Sequence, residues 1–150
     1  MTFLLDTNIV SEFRKPRPHG AVIAWRRSIP THQLAIPAVV LAEAQAGVEI
    51  MRRQDPVKAA ELESWIEGLM AYYTILPADG AIFREWARLM HGVSSDQSAD
   101  AMIAATARVM KLTVATRNVN DFLRFNVRLI NPFEFIPGTA VPESATGAAN

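Results

Sequence analysis

Residues Phe3 to Phe13 pass from an apolar run directly into helix-start chemistry, and this junction constrains the fold more than any other stretch of the chain. Phe3-Leu4-Leu5 reads as a short buried strand, and Thr7 or Asn8 can cap a helix whose apolar face carries Ile9, Val10 and Phe13. Asp6 therefore stands at the C-terminal end of a strand. In open α/β sheets the loops leaving that edge diverge into a crevice, and ligands bind there. Taken alone, Asp6 is equally well explained as a helix-capping residue.

A chain of 150 residues is expected to form one domain, burying roughly two-thirds of its unfolded surface without a metal or disulfide staple. Cysteine is absent, which excludes a disulfide framework and zinc-thiolate sites. His19, His32 and His91 show no zinc-ligand spacing. No apolar run approaches the roughly 20 residues of a membrane span, so a cytoplasmic protein without a membrane partner is expected. Fifteen basic and fifteen acidic side chains balance, so any contact with nucleic acid needs a local basic patch. Arg14, Lys15, Arg17, Arg26 and Arg27 are candidates for one, although a solvated face is the commoner fate of such residues. Half of the chain is apolar, rich enough that part of it is expected to face a partner.

Strands are expected over Leu34 to Ile36, Thr74 to Leu76, Leu112 to Ala115 and Val127 to Ile130, with helices between them. The helix opening at Pro37 and running to about Met51 carries Glu43 on a stripe with Val39, Ala46 and Ile50. A carboxylate on an apolar stripe needs a partner, either a cation or a metal, unless it reaches water at the stripe's edge. Asp79 is expected to cap a helix running to about His91. In Ser98 to Ala107, Ser98 is a plausible N-cap and Asp100 falls in the first turn, where it complements the helix dipole. Asp100 also continues the stripe of Ile103, Ala104 and Ala107, and the alanine density implies close packing of that helix. Thr116 to Phe122 reads as a polar turn.

Leu4-Leu5-Asp6-Thr7-Asn8-Ile9-Val10-Ser11-Glu12, followed by Arg14-Lys15-Pro16, resembles the opening of PIN-domain proteins. Within that family it looks like the VapC/FitB-type toxins of bacterial toxin–antitoxin pairs. Asp100 followed three residues later by Ile-Ala-Ala-Thr-Ala resembles the family's third acidic motif. Thr116-Arg117-Asn118 with Asp121-Phe122 resembles the fourth, and Asn131-Pro132 is also family-like. The resemblance covers roughly residues 3 to 135 and departs at Pro37-Ala38, where relatives often carry Ser or Thr.

The resemblance implies a PIN-like α/β/α sandwich with a parallel, five-stranded, doubly wound sheet over residues 1–137, and a disordered tail is expected over 138–150. It also implies a metal-dependent endoribonuclease that leaves a 5′-phosphate, with Asp6, Glu43, Asp100 and Asp121 as its acids. Oxygen donors alone fit Mg²⁺ or Mn²⁺. Asp6, Asp100 and Glu43 are expected to bind metal, and Asp121 to act on a second metal or through water. Thr116 and Asn118, with Thr7 and Asn8 as weaker candidates, would hold Asp6 or the phosphate, and Arg117 would touch the phosphate. The implied partners are RNA, a cognate antitoxin protein and a second copy of the chain, with operator DNA reached only through the antitoxin. Trp25, Trp65, Ile66, Met70 and Tyr73 are candidate walls of an antitoxin groove, although core packing is the commoner fate of any one of them. Two other readings remain, a receiver-like phosphoacceptor and a catalytically silent PIN-fold binding module.

Overall fold

The central strand of the molecule is its first one. In chain order the elements are β1 (Phe3–Leu5), α1 (Thr7–Arg14), α2 (Gly20–Ser28), β2 (Leu34–Pro37), α3 (Ala38–Gln54), α4 (Pro56–Tyr72), β3 (Thr74–Leu76), α5 (Gly80–Met90), α6 (Ser98–Met110), β4 (Thr113–Ala115), α7 (Val119–Phe122), β5 (Arg128–Ile130) and β6 (Ala145–Thr146). The computed structural model describes residues 1–140 and the backbone of 145–146. Five parallel strands run in the order β3-β2-β1-β4-β5, and β6 adds antiparallel to β5. Leu4 pairs in register with Ala35 on one side and Val114 on the other.

Chain order reverses at β1, since β2 and β3 extend the sheet one way and β4 and β5 the other. Right-handed crossovers of opposite travel place their helices on opposite faces, so β1 and β4 are covered from both sides and can be apolar throughout. Both strands are fully buried. The expected five-stranded parallel sheet is present, with β6 as an addition. The expected tail at 138–150 lies mostly outside the described residues, and within it Ala145–Thr146 are assigned to β6.

Seven consecutive residues of α6, Ala101 to Ala107, are buried. Small side chains let that helix sit against the sheet on one side and α5 on the other. Trp25 is fully buried and meets Phe3 edge-on at 5.3 Å, so it belongs to the core and cannot wall an antitoxin groove as expected. Its indole nitrogen has no hydrogen-bond partner among the described residues, a cost of about 1–3 kcal/mol offset by burial of the ring. Ile66 is likewise buried, whereas Met70 is exposed.

Three local expectations are corrected. Asp6 itself caps α1, its Oδ1 accepting from the Thr7 backbone N–H, so neither Thr7 nor Asn8 is the N-cap. Ser98 is the first helical residue, because a 3₁₀ turn over Ser95–Gln97 leads directly into α6 and no side chain caps it. On α3 the buried residues are Val40, which joins the main core, and Val48, which faces α4, while Ile50 is 65% exposed, so the stripe through Glu43 turns outward. The buried carboxylate of Glu12 had no special place in the sequence reading. It accepts from Lys15 Nζ at 2.6 Å and from the His19 N–H at 2.8 Å, fastening the turn through Pro16 to Pro18.

The close seating of α6 predicts that Ala104→Leu destabilises the protein by about 1–3 kcal/mol in chemical denaturation. Ala60→Leu, on the exposed side of α4, should stay within about 0.5 kcal/mol of wild type. Equal effects at the two positions would contradict the packing described.

Candidate active site at the C-terminal edge of the sheet

Asp6 leaves the end of β1 with its backbone N–H still bonded to the Ala115 carbonyl at 3.0 Å. Its side chain therefore emerges between β1 and β4, at the point where strand order reverses and open α/β sheets form their crevice. Across that gap the Thr116 N–H donates to the Ile130 carbonyl at 3.0 Å, which holds the residue following β4 in place. The Thr116 hydroxyl then donates to Asp6 Oδ2 at 2.7 Å, and Asn8 Nδ2 donates to the same oxygen at 3.1 Å. Thr116 Oγ1 in turn accepts from the Asn118 N–H at 2.9 Å, and Asn8 Oδ1 accepts from the Arg117 N–H at 3.1 Å. Two segments more than a hundred residues apart are thus bound through one carboxylate and its neighbours.

Burial raises the pKa of Asp6, and the hydrogen bonds from Thr116, Thr7 and Asn8 pull it back only in part, with the Asp121 charge adding to the rise. Asp100, in the first turn of α6, is half-buried. Its pKa is pushed up to about 6, first by burial and then by the charges of Asp6, Asp121 and Glu43. Asp121 is exposed in the first turn of α7.

Glu43 is exposed at the rim, where Oε1 accepts from the Thr7 hydroxyl at 2.9 Å. The expectation that it needs a partner because it is buried is therefore corrected, since it reaches water. It nonetheless belongs to the same electrostatic cluster, because it contributes to the field on Asp100. The four acids expected from the sequence are thus coupled through their charges at the C-terminal edge of the sheet. Of the supporting residues, Thr116, Thr7 and Asn8 bond the acids through their side chains, whereas Asn118 acts on Thr116 through its backbone N–H.

Among the described residues, no three acid or histidine side chains already close around one point. The donor set is oxygen only, and Asp100 is raised by like charges that a divalent cation would relieve. Mg²⁺ typically binds through one or two carboxylates and keeps several waters, so an open arrangement of this kind fits it.

A cavity of about 510 Å³ adjoins the acids, lined by Arg117, Asn118, Asn120, Asp121, Asn131 and Glu134 among others. Glu134 was missed by sequence reasoning. Only its place three residues after the family-like Asn131-Pro132 pointed that way. Arg117 does not reach freely into the crevice, since its guanidinium lies 4.7 Å over the Phe133 ring. The basic residues after α1 do not form one free patch. Lys15 is paired with Glu12, Arg14 lies over Trp65, and Arg26 is held by the Tyr73 and Thr31 hydroxyls.

Residues 3–127 match the family model described as PIN domain. Toxin FitB of Neisseria gonorrhoeae is 35% identical over 137 residues, covering 87% of this chain and 97% of that protein. VapC ribonuclease Y4jK of Sinorhizobium fredii is 32% identical over 137 residues, with the same coverages. The crystal structure of FitAcB from Neisseria gonorrhoeae matches with a TM-score of 0.78 and 32% identity, over 89% of this chain and all of that one. The chain belongs to the PIN-domain family.

The charge on Asp100 generates a pH prediction. Its carboxyl titrates near 3.8 in the unfolded chain and near about 6 in the folded one, so the folded state binds the proton more tightly. Without metal, the stabilising effect of that proton is present at low pH and is lost as pH rises through 6. Asp100→Asn in a chelator should therefore melt higher than wild type at about pH 8, and the gap should close as pH falls to about 4. A variant that melts no higher at pH 8 would contradict the raised carboxyl and with it the burial and like charges described.

Proposed function

We propose that this protein is a divalent-metal-dependent endoribonuclease, the toxin of a type II toxin–antitoxin pair. The observation that carries the reading is the grouping of Asp6, Asp100, Asp121 and Glu43 at the C-terminal edge of the sheet, where burial and then the charges of the other three push the Asp100 carboxyl up to about 6. Strand order supports it against a receiver-like phosphoacceptor. Here β1 is flanked by β2 and β4, whereas the flavodoxin-like order of receivers puts the third strand beside the first. The names of the similar proteins, a toxin and a ribonuclease, support the same reading.

Asp6, Asp100 and Glu43 would hold Mg²⁺ or Mn²⁺, with Asp121 acting on a second ion or through water. When bound, the ion would supply Lewis acidity, lowering the pKa of an attacking water and neutralising charge on the phosphodiester. Thr116 and Asn8 fix one oxygen of Asp6 by donating to it, which leaves the carboxylate few orientations. Thr7 steadies Glu43 in the same way. Attack on phosphorus and departure of the 3′ oxygen would leave a 5′-phosphate. A cognate antitoxin would silence the site by covering it, with operator DNA bound only through that partner, and a homodimer in a cytoplasmic setting completes the reading.

Asp6→Asn, Glu43→Gln and Asp100→Asn should each abolish RNA cleavage while leaving circular dichroism unchanged. Near wild-type cleavage by all three would end the nuclease reading and favour a silent binding module. Mn²⁺ at about 100 times its dissociation constant should stabilise the wild type by roughly 2.7 kcal/mol. Co-expression with the small gene next to this one should yield an inactive complex, and a complex as active as the free protein would sink the toxin reading alone.

A further inference from the structure

The cavity beside the acids has a composition that the chemistry of phosphodiester cleavage does not require. We propose that it takes one unstacked nucleobase flanking the scissile phosphate, and that the Glu134 carboxylate reads the Watson–Crick edge of that base, favouring guanine. The inference rests on the ribonuclease reading above and deepens it, because it assigns a source of sequence selectivity to the same crevice.

Continuity places the cavity at the right point. Asp121 and Asn118 line it, and Asn118 is also bonded through its N–H to Thr116, the residue that holds Asp6. A chain whose phosphate faced Asp6 and Asp100 would lay its neighbouring nucleotide here.

Charge decides the kind of group that fits. Two carboxylates, Asp121 and Glu134, line the space against one cation, Arg117. A second phosphate would be repelled. An incoming cation would meet Arg117, so a neutral group rich in hydrogen-bond donors fits better than either.

The polar groups around the cavity have bonding capacity to spare. Among the described residues Glu134 is exposed and takes part in no ion pair. Its backbone is set by the 3₁₀ turn Pro132–Glu134, where its N–H donates to the Asn131 carbonyl at 3.0 Å. Asn131 Oδ1 accepts from the Phe133 N–H at 3.0 Å, which orients the amide and leaves Nδ2 as a donor. Arg117 is exposed and has one face on Phe133, so its other face is a flat platform. Single-stranded RNA is read in this way, by splayed bases stacked on aromatic or guanidinium planes and bonded along their edges.

The preference for guanine follows from donor geometry. An ionised carboxylate only accepts hydrogen bonds. Guanine offers N1–H and N2–H side by side, one for each oxygen. Adenine and cytosine pair their amino group with an adjacent ring acceptor, and uracil flanks its single N–H with two carbonyls, so each would set an acceptor against one oxygen of Glu134.

The test maps cleavage sites of the full-length protein in Mn²⁺ on a randomised single-stranded RNA library, for wild type, Glu134→Gln and Glu134→Ala, with Asp6→Asn as the inactive control. Wild type should prefer guanine at one position beside the cut by roughly tenfold or more, the scale of one bidentate contact. Both Glu134 variants should lose that ratio. Replacing the guanine by inosine, which lacks the N2 amino group, should slow wild type and leave Glu134→Ala indifferent.

Cleavage by wild type without a guanine preference would overturn the inference and leave the ribonuclease reading standing. So would variants that keep the preference, or that slow all sequences by one common factor. Variants that keep the RNA profile but escape inhibition by the co-expressed partner would assign the cavity to a protein cation instead. No metal-dependent cleavage of any RNA by wild type would overturn both readings.

Discussion

The hydrogen bond from Thr116 to Asp6 joins what the backbone only brings near. β1 and β4 are adjacent because their apolar residues are buried from both faces, and their register puts Leu5 opposite Ala115. The next residue on each strand then leaves the sheet at the same level. One is a carboxylate, the other a hydroxyl, and both are buried. A buried carboxylate without donors would cost several kcal/mol or take up a proton, so Asp6 is tolerable there because Thr116, Asn8 and the Thr7 N–H all donate to it.

That arrangement satisfies Asp6 and leaves Asp100 unsatisfied. No hydrogen bond opposes the burial and like charges that raise the Asp100 carboxyl. The difference is instructive about roles. A carboxylate with three donors has a fixed position and a fixed rotamer, as a residue that anchors a site should. One raised to about 6 by burial and then by its acidic neighbours is a charge without compensation, which suits the metal-binding role proposed for it. Alanines make this possible, because α6 can approach the sheet closely enough to bring its first turn over the strand ends.

Much of this was legible in the chain, and the failures have physical reasons. The strand at Phe3–Leu5, the capping role of Asp79 and the inward alanine face of α6 are local features, set by short-range chemistry, and they stand in the structure. Glu43 was placed in the crevice for the wrong reason. Its apolar stripe points outward, because the inner face of α3 is decided by what packs on it, the main core at Val40 and α4 at Val48, and no periodicity within α3 contains that information. Trp25 took the core fate, the commoner of its two expected ones, while Ser98 was misread as a cap. Burial of an aromatic depends on what covers it, and a preceding 3₁₀ turn removes the need for a side-chain cap. Glu134 was invisible because a lone acid in a late turn carries no pattern, and only the folding of β5 beside β4 brings that turn next to Asp121.

On the proposed reading, charge explains why such a chain would need an ion to meet RNA. The protein carries no net charge, and four coupled carboxylates stand at the sheet edge where an anionic strand would lie on the proposed reading. Of the basic residues near α1 and α2, Lys15 is paired with Glu12 and Arg14 and Arg26 lie over Trp65 and a tyrosine pair, while Arg17 and Arg27 are exposed. With screening over about 8 Å at physiological salt, distant cations contribute little to the field inside the crevice. Attraction must then be supplied at the acids themselves, by bound divalent cation, or at the bases, by contacts that carry no charge requirement. The same logic makes the acids a point of control, because any partner that delivers a cation there competes with the metal and the substrate together.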